Sequence, residues 1–307
     1  MTNRKAIALA FGTALTWGLA GVWVRLLGGL SGVFITGLRL AIALVALAPV
    51  LWLRRRKLNR ADLRRKSTYV LAALLVSYYL IAVIAFLFTS IAEVALLIAV
   101  SPLLVLGVNL LRGIRVTGRE KFGALCALIG VALVLGPKLA PGSFDQRRLI
   151  GDLLALASAG CSAAFASAYA RVHKPGETSS DPFMVTVVAL ALGSATLLSA
   201  SALLAPQDFV HLRSPGYLIP ALGLGIITTA FPSIAYATAA KRLPAVLTTT
   251  IQLLIPIVST VAAAIVLREM PSGWLLPGGV LVLFGIFTLV RSTRSPEVAT
   301  EEELTNV

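Results

Sequence analysis

The sequence predicts an all-α integral membrane protein with ten transmembrane helices, arranged as two inverted repeats of five helices each. Three observations support this fold class. Hydrophobic residues make up 58% of the 307 residues and charged residues only 13%, about half the usual share of charge in a soluble domain. The apolar residues fall into ten runs of membrane-spanning length, and a pattern of Pro and Gly in the fourth and fifth runs recurs in the last two.

The first five predicted spans follow from the rule that a helix needs about 20 apolar residues to cross a bilayer core. Only Thr89 and Ser90 separate the third span from the fourth. The stretch 69–111 is nevertheless about twice as long as one span requires, so we expect a tight helical hairpin. The first repeat is predicted over residues 1–138, with spans at about 6–27, 33–53, 69–88, 91–111 and 122–138.

A second repeat is predicted over residues 151–290, after an outer linker at 139–150. Segment 291–307 contains an acidic stretch and predicts a disordered cytoplasmic tail. The apolar run that follows Arg4 and Lys5 is too long for a typical signal peptide, so we interpret it as a retained first span. The spans of the second repeat cover about 151–171, 183–205, 215–238, 245–267 and 273–290.

The distribution of basic residues predicts the orientation, because cytoplasmic loops carry an excess of Lys and Arg. With the N-terminus in the cytoplasm, twenty of the 27 Lys and Arg residues lie in cytoplasmic segments and five in outer loops. Both termini are therefore predicted to be cytoplasmic. The net charge of +14 then needs no nucleic acid as a partner, and the basic loop 54–66 is expected to contact anionic membrane lipid.

The internal repeat rests on residues that recur at a nearly constant offset. The offset is 154 residues for the mid-span prolines and 155 for two glycine pairs, so the two regions superimpose with a single inserted residue. Because each repeat has an odd number of spans, the second must enter the membrane from the opposite face. Inverted repeats are typical of alternating-access carriers, which bind substrate near the midplane. The matched pairs are Pro102 and Pro256, Gly123 and Gly278, and Gly130 and Gly285.

Together these motifs resemble a known family. Trp17-Gly18 in the first span, the two mid-span prolines, and Arg268-Glu269 followed nine residues on by Gly278 are similar to the EamA-type drug/metabolite transporter superfamily. The resemblance covers about residues 5–290. It is imperfect, since Ile114 stands where the first repeat would match Glu269. The chain also resembles the bacterial YddG-type exporters of aromatic and other neutral amino acids, which implies amino acid export across a bacterial inner membrane.

Polar and kinked positions in the fourth and ninth spans are candidate substrate-binding residues. A proline inside a span leaves a carbonyl without its helical partner. Pro102 and Pro256 therefore either kink their helices to line a cavity or are passive kinks. Gln252 lies one turn before Pro256 on the same helix face, and Thr248 extends the polar strip. The Gln252 amide either binds a substrate carboxylate or ammonium, or joins helices by hydrogen bonds.

Aromatic residues near mid-depth predict a ring-lined cavity suited to stacking or cation–π contacts. Tyr79 points about 100° away from Tyr78 around the helix, so the two rings should not line one cavity together. Tyr169 and Tyr236 lie nearer the cytoplasmic ends and are either gating residues or part of an interfacial aromatic belt. The candidate cavity residues are Trp17, Ser77, Tyr78 and Phe165.

Two charged residues within the spans are candidates for gating or coupling. Glu93 and Asp152 are the only acidic residues in the predicted spans, and both lie near an outer end. Glu93 either gates the pathway or caps its helix, and Asp152 favours a helix N-terminus. Because no carboxylate lies at the midplane, tightly proton-coupled export of cations is disfavoured. Arg39 lies two turns into the second span and either binds an anion or forms a structural pair.

Other classes of function have less support in the sequence. The only histidines, His173 and His211, lie in loops on opposite sides, and no motif of hydrolases, zinc proteases or nucleotide-binding enzymes occurs. We therefore predict no catalytic residue, metal or cofactor. A channel would usually show a filter or a charged ring, and it would leave the repeat unexplained. The main alternative is a multidrug or quaternary-cation exporter. The expected partners are a small-molecule substrate and membrane lipid, and the sequence is compatible with a monomer.

Overall fold

A computed structural model of the protein describes residues 3–54, 60–114, 116–136, 145–172, 182–212, 214–240 and 242–292. Within these ranges the chain forms helices and turns without strands, apart from one isolated bridge between Gly28 and Leu30. The predicted all-α class is therefore confirmed. Residues 139–144 of the predicted linker and residues 293–307 of the predicted tail lie outside the described ranges.

The first half of the chain contains five long helices, two of which are interrupted. A single 3₁₀ turn, Arg60–Arg64, precedes the third helix. The five helices are α1, in two segments α1a (Asn3–Gly18) and α1b (Ala20–Leu26); α2 (Gly32–Arg54); α3 (Lys66–Phe88); α4, in segments α4a (Ile91–Ile98) and α4b (Ser101–Leu111); and α5 (Gly118–Leu135).

The second half also contains five long helices, with a short helix, Gln207–His211, between the second and third of them. They are α6 (Gln146–Val172); α7 (Pro182–Leu204); α8, which runs through Pro215–Leu222, a π-helical segment Gly223–Ala230 and Phe231–Ala240; α9, in segments α9a (Ala245–Gln252) and α9b (Leu254–Leu267); and α10 (Leu275–Ser292).

Nine of the long helices in the described ranges are long and apolar enough to cross a bilayer. The exception is α5, whose first turn carries Arg119, Glu120 and Lys121. It begins four residues before the predicted span because Thr117 caps it. The Thr117 hydroxyl accepts from the Glu120 backbone N–H, and the Glu120 carboxylate accepts from the Thr117 N–H at 2.7 Å. This capping box favours a helix start at charged residues that lie outside the apolar stretch.

The helices alternate in direction, which gives the bundle two ends. The Glu269 end, named after a residue between α9 and α10, contains the end of α3 and the starts of α4 and α6, joined by polar contacts. The terminal end contains the start of α1 and the end of α10, and there Thr117 Oγ1 lies 2.9 Å from Ser292 Oγ. By the predicted orientation, the Glu269 end is the outer end.

Close glycine contacts join α5 to α10. A Cβ atom at Gly123 would lie 2.6 Å from the carbonyl oxygen of Gly285, and one at Gly130 would lie 2.6 Å from that of Gly278. Only glycine allows backbones to approach this closely. Around this pair, α1 packs on α8 and α9, and α6 packs on α3 and α4, while α2 packs on α7. The largest buried cluster includes Phe34, Ile91 and Leu224, towards the Glu269 end.

Candidate functional site

The interruption of α9 places an amide without a partner inside the bundle. Because Pro256 has no amide hydrogen, the backbone carbonyl of Gln252 loses its α-helical donor. The helix breaks at Leu253, between these two residues. The Nε2 and Oε1 atoms of Gln252 are both buried and have no hydrogen-bond partner among the described residues. Buried amides of this kind are rare unless another molecule satisfies them.

The interruption of α1 packs directly against that of α9. Gly18 ends α1a, and its carbonyl accepts a hydrogen bond of 2.8 Å from the hydroxyl of Ser259 on α9b. A Cβ atom at Gly18 would lie 2.6 Å from the side chain of Val258, so only glycine fits. The preceding residue, Trp17, places its ring 5.5 Å from the ring of Tyr236. The predicted Trp17 thus lies at the break of its own helix, α1, and its ring packs on α8.

The interruption of α4 has the same chemistry as that of α9. Pro102 lies in the first turn of α4b, just after the break at Ala99 and Val100. Its missing N–H leaves the carbonyl of Ile98, the last residue of α4a, without an α-helical donor. The predicted kinks at Pro102 and Pro256 therefore occur as short breaks that expose helix ends inside the bundle.

The aromatic candidates on α3 and α6 form two separate ring pairs. Phe165 and Tyr169 stack at 6.0 Å, and Tyr78 lies 5.2 Å from Tyr79. Tyr79 is buried, whereas Tyr78 and the neighbouring Ser77 are partly exposed, and both tyrosine rings pack in the same cluster. The Ser158 hydroxyl of α6 donates to the Tyr78 carbonyl at 3.3 Å and ties these helices together.

Arg39 is buried and is held by α8 and α3. Its Nε donates to Thr229 Oγ1 at 2.6 Å, and its terminal nitrogen donates to the carbonyl of Thr228 at 3.3 Å. The guanidinium also lies 4.4 Å from the centre of the Tyr79 ring. Both threonine hydroxyls bond back to the carbonyl of Leu224, which explains the local π-helical winding. Of the two predicted roles for Arg39, these contacts support structural pairing.

Glu93 belongs to a polar cluster at the Glu269 end. The Ser90 hydroxyl caps α4a by accepting from the backbone N–H of Glu93. The Thr89 hydroxyl lies 3.0 Å from Glu93 Oε2 and 3.0 Å from Asp152 Oδ1. Both carboxylates are buried. Residues from the two halves of the chain are thereby joined, and Glu93 is part of a capped helix start.

An ion pair lies beside this cluster. A terminal nitrogen of Arg25, at the end of α1b, lies 3.6 Å from Glu269 Oε2 and donates to the carbonyl of Thr89 at 2.6 Å. The other oxygen of Glu269 accepts from the backbone N–H of Ile91 at 2.8 Å. Nearby, Asp208 Oδ2 accepts from the N–H and the hydroxyl of Ser31. The contacts of Glu269 and Asp208 cross from one half of the chain to the other.

Comparison with known proteins decides the family. The model of the EamA-like transporter family matches residues 4–136 and again residues 149–291. This chain belongs to the EamA-like transporter family. The match covers most of the chain, and it agrees with the resemblance carried by Trp17-Gly18 and the mid-span prolines.

Two further proteins are similar to this EamA-like transporter. An uncharacterized transporter from Archaeoglobus fulgidus is 27% identical over 284 residues, which cover 92% of this chain and 94% of the relative. A solved crystal structure superimposes with a TM-score of 0.65 at 21% identity, covering 96% of this chain and all of the other. The identity is low, so the second match supports the fold alone. The protein is a multi-pass membrane transporter.

Sequence reasoning missed several residues of the EamA-like transporter that the structure brings together. In the sequence Arg25 stands out only as a charge at a span end, and Thr89 only as a boundary. The predicted position across the membrane could have indicated the ion pair, because Arg25 and Glu269 both lie at predicted outer ends of spans and charges at the same level can pair. The Ser259 contact with Gly18 had no sequence signal, because a buried serine is common in membrane helices.

Proposed function

We propose that this EamA-like transporter exports neutral amino acids, aromatic ones above all, across a bacterial inner membrane by alternating access. The observation that carries this proposal is the buried amide of Gln252, which has no partner among the described residues and lies at the break of α9. An amide offers both donors and acceptors, so it can bind either charged group of an amino acid. Thr248 lies one turn away on the same helix and extends the polar surface.

The ends of the broken helices favour a zwitterion. At the C-terminal end of α9a the Gln252 carbonyl lacks its α-helical donor and carries partial negative charge, while the N-terminal end of α9b carries partial positive charge. Broken helices in transporters use these ends to bind ammonium or cation groups and carboxylates respectively. The break of α4 offers a second pair of such ends. A neutral amino acid has an ammonium group for the negative helix end and a carboxylate for the positive one.

The aromatic preference rests on Trp17 and Tyr236. Their rings are in contact at 5.5 Å and are partly exposed. Trp17 precedes Gly18, whose carbonyl accepts from Ser259 of α9b, so the ring pair lies beside the packing of α1 on α9. An aromatic side chain can stack on such rings. Tyr78 and Phe165 would line the same pathway from α3 and α6, and Tyr169 would lie further along it.

Alternating access requires two equivalent halves, and three features support an inverted repeat. The family model matches twice, once in each half. Gly123 contacts Gly285 while Gly130 contacts Gly278, which is the exchanged pairing that a two-fold axis produces between matched residues. The ends of α4 and α9 also carry left-handed residues 155 positions apart, Gly113 at φ 75° and Arg268 at φ 54°. We infer repeats over residues 1–138 and 151–290, with cytoplasmic termini.

The test is transport by the purified protein in liposomes. Labelled phenylalanine, leucine, glutamate and a quaternary ammonium ion are each measured with and without a proton gradient. We expect saturable phenylalanine flux that Gln252→Ala lowers about tenfold or more, the size expected when a hydrogen bond to a charged group is lost. Gln146→Ala is the matched control, because Gln146 is an exposed amide at the start of α6. Its flux should equal that of the wild type.

Each competing function gives a different result in the same assay. Preferential flux of the quaternary ammonium ion would show that the protein is a multidrug exporter and not an amino acid exporter. Equal loss of flux in the Gln252 and Gln146 variants would remove Gln252 from the site. Unitary current steps in a planar bilayer would indicate a channel instead of a carrier.

A further inference from the structure

A cavity lies at the Glu269 end, and none of the breaks in α1, α4 and α9 lines it. Its volume is about 650 Å³, which is within the usual range for small-molecule sites. It lies between the loop that joins α1 to α2, the end of α3, the start of α6 and the segment after α7. Its charged residues are Arg25, Arg147 and Asp208. The proposed substrate site makes no use of it.

Arg25 retains hydrogen-bonding capacity on this cavity. One terminal nitrogen contacts the Thr89 carbonyl and the Glu269 carboxylate. Its Nε is buried and has no hydrogen-bond partner among the described residues. A buried guanidinium N–H without an acceptor costs free energy comparable to a lost charged hydrogen bond. The side chain as a whole is 33% exposed and lines the cavity, so its guanidinium can donate to an anionic oxygen there.

Arg147 supplies a second cation beside an aromatic surface. It donates to the Leu87 carbonyl at 3.3 Å, and its guanidinium lies 5.4 Å from the centre of the Phe88 ring. A guanidinium has five N–H donors, so most remain available. Asp208, by contrast, already accepts two hydrogen bonds from Ser31. The charge still available in the cavity is thus positive, and Leu87 and Phe88 provide an apolar wall.

We propose that this cavity is a binding site for a small carboxylate that carries an apolar or aromatic group. The carboxylate binds between Arg25 and Arg147, and the apolar group packs on Leu87 and Phe88. The site is distinct from the one assigned to the transported amino acid, and its test does not require that assignment to be correct. Two arginines with free N–H groups bind a carboxylate more strongly than an ammonium group of the same shape.

Binding there also affects the closed Glu269 end. Arg25 contacts Glu269 on one side and lines the cavity on the other, so a bound carboxylate competes with Glu269 for the same guanidinium. Since Glu269 also accepts from the N–H of Ile91 at the start of α4, this competition loosens a contact between the two halves. A carboxylate that enters from this side would therefore favour opening at this end.

The experiment measures binding of radiolabelled 3-phenylpropionate, a carboxylate without an ammonium group, to the full-length protein in phosphatidylcholine nanodiscs. We expect Arg147→Gln to weaken binding about tenfold, the effect of losing roughly 1.4 kcal/mol. Arg148→Gln is the matched control, because Arg148 is the adjacent residue and pairs with Asp145 at 3.3 Å. It should leave binding unchanged. Glu269→Gln should strengthen binding, since it removes the competitor for Arg25.

One further variant and two further probes test whether 3-phenylpropionate binds in this cavity as a carboxylate. Gln252→Ala should leave binding unchanged, so failure of amino acid transport does not affect this test. Loss of binding in Gln252→Ala would instead assign the probe to the central site and overturn the inference. Phenethylamine, the matched cation, should bind at least tenfold more weakly, and equal binding would contradict a carboxylate site. If phosphatidylglycerol nanodiscs abolish binding, the cavity belongs to a lipid phosphate instead.

Discussion

The two ends of the bundle are closed by different interactions. At the Glu269 end, an ion pair and several hydrogen bonds join the two halves, with Arg25, Thr89 and Glu269 at their centre. At the terminal end, besides the contact of Thr117 with Ser292, α1 packs small residues against α8 and α9 in a buried apolar cluster that includes Ala6 and Ala10. Directional contacts are either made or broken, whereas small apolar surfaces can shift with little penalty.

This difference indicates how the halves could move. Opening the Glu269 end requires several polar contacts to break together, so it should behave as a two-state event. The terminal end instead depends on the packing of α1 against α8 and α9. The crossing of α5 and α10 is common to both ends, since the glycine pairs lie along its length. Substitutions in this crossing should therefore have larger effects than substitutions at either end or at the contact between the broken helices.

Gly285→Leu should have the largest effect, because it acts on the crossing that supports both ends. A side chain at Gly285 would collide with the carbonyl of Gly123 and lie 2.6 Å from the backbone nitrogen of Ala127. Overpacking against backbone cannot relax, so we expect a loss of about 3 kcal/mol or more. Thermal unfolding in detergent measures it. Gly279→Leu is the control, because a Cβ there meets only Leu96 at 3.6 Å. Equal losses of stability in the two variants would contradict the importance of the close contact between α5 and α10.

Ala10→Leu should destabilise the terminal end alone. Ala10 is completely buried in the cluster with Ala239 and Leu243, and a larger side chain there should cost about 2 kcal/mol. Hydrogen–deuterium exchange should rise at the start of α1 and the end of α8, but not at the start of α4. Ala8→Leu, at an exposed position on the same helix, should change nothing. If exchange rises at both ends, the two ends are not independent.

Glu269→Gln should loosen the other end by a smaller amount. The variant removes the charge that pairs with Arg25 at 3.6 Å and weakens the acceptor of the Ile91 N–H. Because the pair is partly exposed, we expect a change of about 1.5 kcal/mol, or roughly tenfold in the exchange rate of the Ile91 amide. Exchange in residues 6–14 should stay constant. Unchanged exchange at Ile91 would show that the ion pair does not hold this end closed.

The sequence was sufficient to predict the helices, because hydropathy and length decide which segments can cross a bilayer. The hairpin at Thr89 and Ser90 is one example, since α3 ends at Phe88 and α4 begins at Ile91. The first residues of the helices were predicted less accurately, since α6 begins at Gln146, five residues before its predicted span. The Asp145 carboxylate caps this start by accepting from the Arg148 backbone N–H. Polar residues can extend a helix beyond the apolar run when its first turn is capped.

The candidate site was predicted only in part. Prolines have a direct local effect, so Pro102 and Pro256 marked breaks in the chain that the structure contains. The break in α1 has no proline, and it depends on the contact of Gly18 with Ser259 from a distant helix. The pairing of Arg25 with Glu269 likewise joins the end of α1 to the loop between α9 and α10. Such contacts depend on how helices pack, which single-span patterns do not specify.

Ser259→Ala should have the smallest effect on stability, about 1 kcal/mol, because it removes one buried hydrogen bond, to the carbonyl of Gly18. If the broken helices are the pivot between the two ends, the loss of transport should nevertheless exceed the loss of stability. Thr260→Val is the matched control, since the Thr260 hydroxyl donates within its own helix, to the Pro256 carbonyl. Flux of phenylalanine and unfolding temperature are measured for both variants. Equal flux in the two would place the pivot elsewhere and leave the ends coupled only through α5 and α10.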